Sequence, residues 1–160
     1  MEELKFIVFR IGEQKYGMNL KYIKGIEQNY QIISVPNATE AVEGIMNLRG
    51  DVIPVYSLRK RFGLTSRSDS PQKSMLVTMS SGSMLAYEVD EVVTIEEMKN
   101  ENVNNMPAVA MNEENAFMEK ILNINGDIII TINSDKVLSE STRKAVEQMI
   151  EENKTSNDKG

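Results

Sequence analysis

Glu43-Gly44-Ile45-Met46-Asn47-Leu48-Arg49-Gly50-Asp51-Val52-Ile53-Pro54-Val55 is an apolar run, a short polar break, and a second apolar run rich in β-branched residues. Gly-Asp between two such runs signals a strand that turns tightly and re-enters its sheet. Arg49 is the unusual residue of the break. At the corner of a turn its guanidinium projects beyond the sheet, where its fixed donors can grip a partner's carbonyls or carboxylate. The plainer reading is a turn arginine that keeps an edge soluble. The layout recurs, however, in Glu119-Lys120-Ile121-Leu122-Asn123-Ile124-Asn125-Gly126-Asp127-Ile128-Ile129-Ile130, where Asn123, Gly126 and Asp127 answer Asn47, Gly50 and Asp51. A repeated strand–turn–strand implies two related half-structures, each holding one copy. At the arginine position the second copy carries Asn125, the ordinary residue for an Asn-Gly turn. The turn itself does not need arginine, so Arg49 reads as a contact residue.

The surrounding chain has 160 residues, 41% of them hydrophobic and 26% charged, which suits one globular domain or two small joined halves. It holds no run of about 18 apolar residues that could span a membrane. Met1-Glu2-Glu3-Leu4-Lys5 lacks the basic head and apolar core of a signal peptide. The sequence has no cysteine, which excludes disulfides and thiolate metal sites and fits a cytoplasmic address. A net charge of -6, spread along the chain, argues against nucleic acid as the main partner. Histidine is missing too, which removes the commonest general base and the commonest nitrogen ligand for transition metals. Composition therefore weighs against catalysis before any motif is read.

Taken in order, Leu4 to Ile11 reads as a strand, Gly12-Glu13 as a turn and Gln14 to Leu20 as the returning strand, with Tyr16 and Met18 on one face. Ile23 and Ile26 sit at a spacing open to either helix or strand. Gln31 to Val35 reads as a short strand stopped by Pro36-Asn37, and Ala38 to Val42 as a helical turn. Ser57 to Phe62 reads as a short amphipathic helix. Gly63 to Lys73 is polar and serine-rich and marks a join between halves. A second hairpin follows, Ser74 to Met79 and Ser83 to Val89, and then a strand over Val92 to Ile95. Glu96 to Asn105 has the composition of an exposed loop ended by Pro107. Phe117 to Asn133 carries the second strand–turn–strand, after which Ser134 is placed to cap a short turn. Residues 139–153 read as a helix with Ala145, Val146, Met149 and Ile150 on one face, and 154–160 as a disordered tail. The class is all-β, with two small barrels or sandwiches and a terminal helix.

Chemical motifs add little. Ser-x-x-Lys occurs at Ser57–Lys60, Ser70–Lys73 and Ser141–Lys144, about what chance supplies, and no companion Lys-Thr-Gly accompanies it. The pairs Asp90-Glu91, Glu96-Glu97 and Glu113-Glu114 are sequence neighbours, which on a strand point to opposite faces and do not converge on a metal. Neither glycine-rich nucleotide-binding loop is present. A binding module is the better reading; a small hydrolase using Ser57 and Lys60 is the distant rival.

Several segments together resemble the CheW family of bacterial chemotaxis coupling proteins: Phe9 to Gly17, Gly44 to Pro54 with Leu58-Arg59, Tyr87 to Val92, and Ile128 to Leu138. Order and spacing match over residues 4–138. The resemblance implies two packed five-stranded SH3-like β-barrels, within a single domain over 1–153 whose halves run over about 15–65 and 66–138 and share the N-terminal strand. It implies a non-enzymatic adaptor without cofactor or metal. The adaptor would couple the cytoplasmic hairpin tips of chemoreceptors to the CheW-like domain of the histidine kinase CheA, in the cytoplasm at receptor arrays. Receptor contacts map to Arg49, Asn47, Leu48 and Gly50, with a cleft lined by Leu20, Ile26 and Val92; kinase contacts map to Ile23 and Val109. A circuit other than swimming, with the same fold, is the nearer alternative. The chain departs from the family at Gly25, where an acidic residue is usual, at Ser57-Leu58, where Asp-Leu is usual, and at Ala86-Tyr87-Glu88, where glycine is usual.

Overall fold

The computed structural model describes residues 3–28, 30–36, 42–64, 73–80, 83–99, 102–112, 115–134 and 136–137. The terminal helix and tail expected over 139–160 lie outside them, as does the helical turn expected at Ala38 except for Val42, which opens a strand. In chain order the strands are β1 (Glu3–Ile11), β2 (Gln14–Asn19), β3 (Ile23–Glu27), β4 (Val42–Leu48) and β5 (Asp51–Ser57). The short helix α1 (Leu58–Arg61) follows, capped by Ser57, whose hydroxyl accepts from the Lys60 N–H at 3.2 Å. Then come β6 (Ser74–Ser80), β7 (Ser83–Val89), β8 (Glu91–Lys99), β9 (Val103–Asn105), β10 (Met118–Ile124) and β11 (Asp127–Ile132).

The strands form a six-stranded sheet, β8-β1-β2-β11-β10-β9, and a five-stranded sheet, β3-β6-β7-β5-β4. Apart from β9 the two orders are equivalent. In each, a hairpin (β1–β2 or β6–β7) lies between an antiparallel edge strand (β8 or β3) and a parallel neighbour (β11 or β5) drawn from a strand–turn–strand. The equivalence departs from the expected halves in one respect. Along the chain the repeat does break between β5 and β6, inside the polar segment, but the hairpins are exchanged in space. Hairpin β1–β2 joins the sheet of β10–β11, and hairpin β6–β7 joins that of β4–β5. The sheets thus divide the chain near residues 22 and 90 rather than at 65. The exchange rests on the two parallel pairings, Tyr16–Ile130 and Val55–Ala86, which no local turn dictates.

Each sheet surrounds its own apolar cluster, and a third and larger cluster lies between the sheets. Met46, Ile53, Val55, Met75, Val77 and Ala86 fill the five-stranded half, while Phe6, Val8, Met98, Leu122 and Ile129 fill the other. The shared cluster takes Ile7, Phe9, Ile11, Met18 and Ile132 from one side and Tyr56, Leu76, Leu85, Tyr87 and Val89 from the other. Successive residues of β1 and β6 therefore serve different cores. That is why Phe6 to Phe9 and Met75 to Val77 are unbroken apolar runs rather than alternating ones. Side chains of this size each contribute about 1.5–3 kcal/mol when buried, so the shared cluster binds the halves into one unit.

Local differences from the sequence reading have local causes. A 3-10 turn over Leu20–Tyr22 precedes β3, and a register shift between Ile23 and Gly25 makes a bulge there. Ile23 lies opposite Thr78 and Ile26 opposite Leu76, so the bulge sets residues three apart on one face, which is why their spacing fits two periods. Gln31 to Val35 makes a single bridge, Ile33 to Ile45, not a strand. The acidic segment after Ile95 is not a loop: β8 continues to Lys99 along β1, with Met98 buried and Lys5 and Glu97 paired at 3.3 Å. Residues 103–105 form β9 against β10. Ser134 caps nothing among the described residues; its buried hydroxyl makes no hydrogen bond, and Lys136 N–H closes the turn on the Asn133 carbonyl.

Candidate functional site

Arg49 and Gly50 form a two-residue turn between the paired residues Leu48 and Asp51, with φ of 54° and 94°. Asn125 and Gly126 do the same between Ile124 and Asp127, with φ of 53° and 91°. Positive φ at both central residues is the type I′ hairpin turn, whose twist matches that of its strands. Asn47 Oδ1 accepts the Gly50 N–H at 2.9 Å, and Asn123 Oδ1 accepts the Gly126 N–H at 3.2 Å. The two copies therefore agree down to the side chain that closes the turn. They differ in cost. Asparagine tolerates the left-handed region, whereas an arginine there carries a penalty of about 1–2 kcal/mol. Arg49 is exposed and makes no ion pair among the described residues.

The expected site residues fall on three surfaces. Asn47 and Leu48 line an open groove of about 650 Å³ together with Glu27, Tyr30, Gln31, Ile33 and Met46. Leu20, Ile23 and Val92 instead pack against the shared cluster between the halves. Ile26 belongs beside them, since its cross-strand partner Leu76 is in that cluster, and it is 40% exposed at the edge of its sheet. On the other edge strand Val92 lies opposite Phe9, and Ile95, 52% exposed, lies opposite Ile7, so β8 repeats the apolar pair of β3. Val109 stands apart. It is 99% exposed on a 3-10 turn over Ala108–Ala110 that follows Pro107. At Gly25 a side chain would meet nothing within 4 Å, so the departure there changes the open surface and not the packing.

Residues of the remaining motif serve structure. Arg59 Nη1 lies 3.2 Å from Asp90 Oδ2, and the same oxygen accepts the Gly12 N–H at 2.8 Å, tying α1 to the turn between β1 and β2. Arg61 donates from Nε to the Val137 carbonyl at 3.0 Å and stacks over Phe117. Phe62 packs between Tyr16 and Phe117, with ring centroids 5.0 and 5.4 Å away. Leu58-Arg59 thus belongs to the joint between halves, not to an exposed face. Glu88 is buried, with its carboxyl at 3.0 Å from the Tyr30 hydroxyl and 3.6 Å from Lys73 Nζ. Burial raises its pKa above the ordinary value, more than Lys73 and the Tyr30 hydrogen bond lower it. Burial, with the charge of Glu88, pushes the Tyr30 phenol up as well.

Ser57, the candidate nucleophile of the rival reading, caps α1, and Lys60 pairs with Glu43 at 3.1 Å. Among the described residues no three carboxylates gather where they could hold a metal ion, and no helix is long and apolar enough to cross a membrane. Sequence reasoning missed Glu27, Tyr30, Gln31 and Ile33 as neighbours of the arginine turn. Nothing in their spacing signals it, because they reach the turn only when the barrel closes.

Comparison with known proteins gives these surfaces a context. The CheW-like domain family matches residues 5–142. The chain is similar to chemotaxis protein CheW of Rhizobium meliloti, with 26% identity covering 88% of this chain and 91% of that one. It is similar also to chemotaxis protein CheW of Thermotoga maritima, with 27% identity covering 90% and 93%. Among solved structures, the scaffolding protein TtCheW from Thermoanaerobacter tengcongensis superposes with a TM-score of 0.80 at 27% identity, covering 88% of this chain and 96% of that one. The fold is the expected pair of SH3-like barrels. With a family match over most of its length and the same architecture, this chain belongs to the CheW-like family of chemotaxis scaffold proteins, which are not enzymes.

Proposed function

We propose that this protein is the adaptor that couples chemoreceptors to the histidine kinase CheA, acting in the cytoplasm at receptor arrays. Arg49, with Asn47, Leu48 and Gly50, contacts the receptor hairpin tip, and the apolar row of Leu20, Ile26 and Val92 extends that contact. Ile23 and Val109 meet the kinase's CheW-like domain on two sides. The mechanism is geometric: an adaptor that holds receptor and kinase in one arrangement lets the receptor's conformation bias the kinase equilibrium.

One observation carries the reading. Arg49 occupies a left-handed turn position that its sister copy fills with asparagine, and it is exposed there without an ion pair among the described residues. A side chain that costs the fold energy and makes no ion pair among the described residues is explained by a contact with a partner. Arginine is also among the residues that dominate binding energy at interfaces.

The test is a titration of the protein against a receptor hairpin fragment and, separately, against the CheW-like domain of CheA from the same organism. Both should bind. Arg49→Ala should lose receptor binding by about thirtyfold, the effect of a hot-spot truncation of about 2 kcal/mol, with kinase binding unchanged. Failure of the unaltered protein to bind either partner would refute the coupling role.

A further inference from the structure

The two hairpin turns share one geometry but not one chemistry. In each, the closing pair uses its own N–H and C=O groups, which leaves the N–H of the turn glycine to an asparagine three positions earlier. The Gly50 N–H donates to Asn47 Oδ1 at 2.9 Å, and the Gly126 N–H to Asn123 Oδ1 at 3.2 Å. The residue just before the glycine decides what that nitrogen can attack. Arg49 offers it nothing, whereas Asn125 offers the electrophilic carbon of a side-chain amide, in reach of a five-membered ring. Asn125-Gly126 is the one Asn-Gly pair of the chain. Both residues are exposed, and a Cβ at Gly126 would meet nothing within 4 Å, so the space beside the glycine nitrogen is open.

Two features of the turn oppose this reaction. The nitrogen must shed its proton before it attacks, and Asn123 Oδ1 holds that proton in a hydrogen bond. Asn125 is also fixed in the left-handed region, at φ 53°, between the closing residues Ile124 and Asp127. The second restraint belongs to the whole hairpin. The first belongs to one side chain.

We propose that Asn125 is a site of spontaneous deamidation in the folded protein and that Asn123 sets the rate as a protecting cap. The Gly126 nitrogen, its proton lost to solvent hydroxide, forms a bond to Asn125 Cγ. The Cγ–Nδ2 bond breaks, and the amide nitrogen leaves as ammonia after taking up a proton. Water then adds to one of the two carbonyls of the imide and opens it, to aspartate or to isoaspartate. The net change is water in and ammonia out, with nothing oxidised or reduced. Either product adds a negative charge beside Asp127, which pairs with Lys15 at 3.0 Å. Isoaspartate also inserts a methylene into the backbone of a two-residue turn, so Ile124 and Asp127 no longer meet as its closing pair. With Gln14 Nε2, which donates to the Ile128 carbonyl at 3.1 Å, the Lys15–Asp127 pair ties β11 to β2 beside their parallel pairing. Modification therefore loosens that joint.

The experiment incubates the folded full chain at mildly alkaline pH and maps its peptides by mass spectrometry, with chromatography separating aspartate from isoaspartate. The unaltered protein should gain both products at position 125, isoaspartate in excess. Asn123→Ala should speed the gain about fivefold, the rate equivalent of one lost hydrogen bond, and Asn123→Asp, which keeps an acceptor, should return it close to the original rate. Ile53→Val separates the cap from the stability of the whole chain: it trims the buried core of the five-stranded half, leaves the cap alone, and should not change the rate at position 125. No modification of the folded chain, over an interval in which the urea-unfolded chain is converted, would overturn the site. An equal acceleration in Ile53→Val, none in Asn123→Ala, or no rescue by Asn123→Asp would overturn the cap.

Discussion

Replacing Arg49 by asparagine should make the protein more stable and less able to bind its receptor. The substitution copies into the first turn what the second already holds, since Asn125 has φ 53° where Arg49 has φ 54°. A non-glycine residue in this region pays about 1–2 kcal/mol, and asparagine recovers part of it by bonding its side chain to nearby backbone. Arg49 has no ion pair to lose among the described residues, and the cap from Asn47 to Gly50 stays in place. The net gain should be about 0.5–1 kcal/mol. For a chain of this length that raises Tm by about 1–4 °C, readable by calorimetry or by urea titration at constant m. The reverse change, Asn125→Arg, should lose about the same amount and gain no receptor affinity. Binding supplies the second readout: Arg49→Asn should weaken the receptor complex as Arg49→Ala does. If Arg49→Asn instead lowers stability by 0.5 kcal/mol or more (roughly the size of a weak surface interaction), the arginine holds the fold together and its selection for contact is refuted.

Other outcomes follow from particular contacts. At Gly44, φ is 153° and an added Cβ would collide with the Ile33 carbonyl, so Gly44→Ala should break the Ile33–Ile45 bridge and cost about 3 kcal/mol or more in urea unfolding. Arg59→Leu leaves the nearly buried carboxylate of Asp90 with the Gly12 N–H but without its cation, and should cost about 3 kcal/mol; a loss below the uncertainty of the titration would count against a structural pair. Glu88 runs against the usual carboxylate trend. Its folded pKa is raised from 4.5, so the folded state holds the proton more tightly, and its contribution is fully present below the unfolded pKa and fades as pH rises through the folded one. Stability of the wild type relative to Glu88→Gln should therefore fall as pH is raised from 4 through the region just above the ordinary carboxylate value of 4.5. A rise over that interval would refute the desolvation argument.

The strand–turn–strand repeat was legible in the sequence because everything that makes it is local. Alternation, the Asn that accepts from the turn, and the Gly that takes the second left-handed position all lie within a few residues of one another. The same holds for the hairpins β1–β2 and β6–β7 and for the short helix over Leu58–Arg61, each set by neighbours along the chain. Locality also explains the misreadings. The acidic stretch after Ile95 has loop composition, yet it is an edge strand because β1 is there to pair with it. Ile33 lies in a segment of strand composition, yet among the described residues it makes only the single bridge to Ile45.

The sequence by itself thus determined the all-β class, the doubled turn and the odd arginine within it. Tertiary structure alone decided that the halves exchange hairpins, since a parallel pair such as Tyr16 with Ile130 joins residues that no turn links, and its register depends on closing long loops around shared cores. The same closure brings Glu27 and Ile33 beside Asn47 and Leu48. Hydrophobic periodicity states which face of a strand is buried, but not which of two cores it faces or which distant edge it meets.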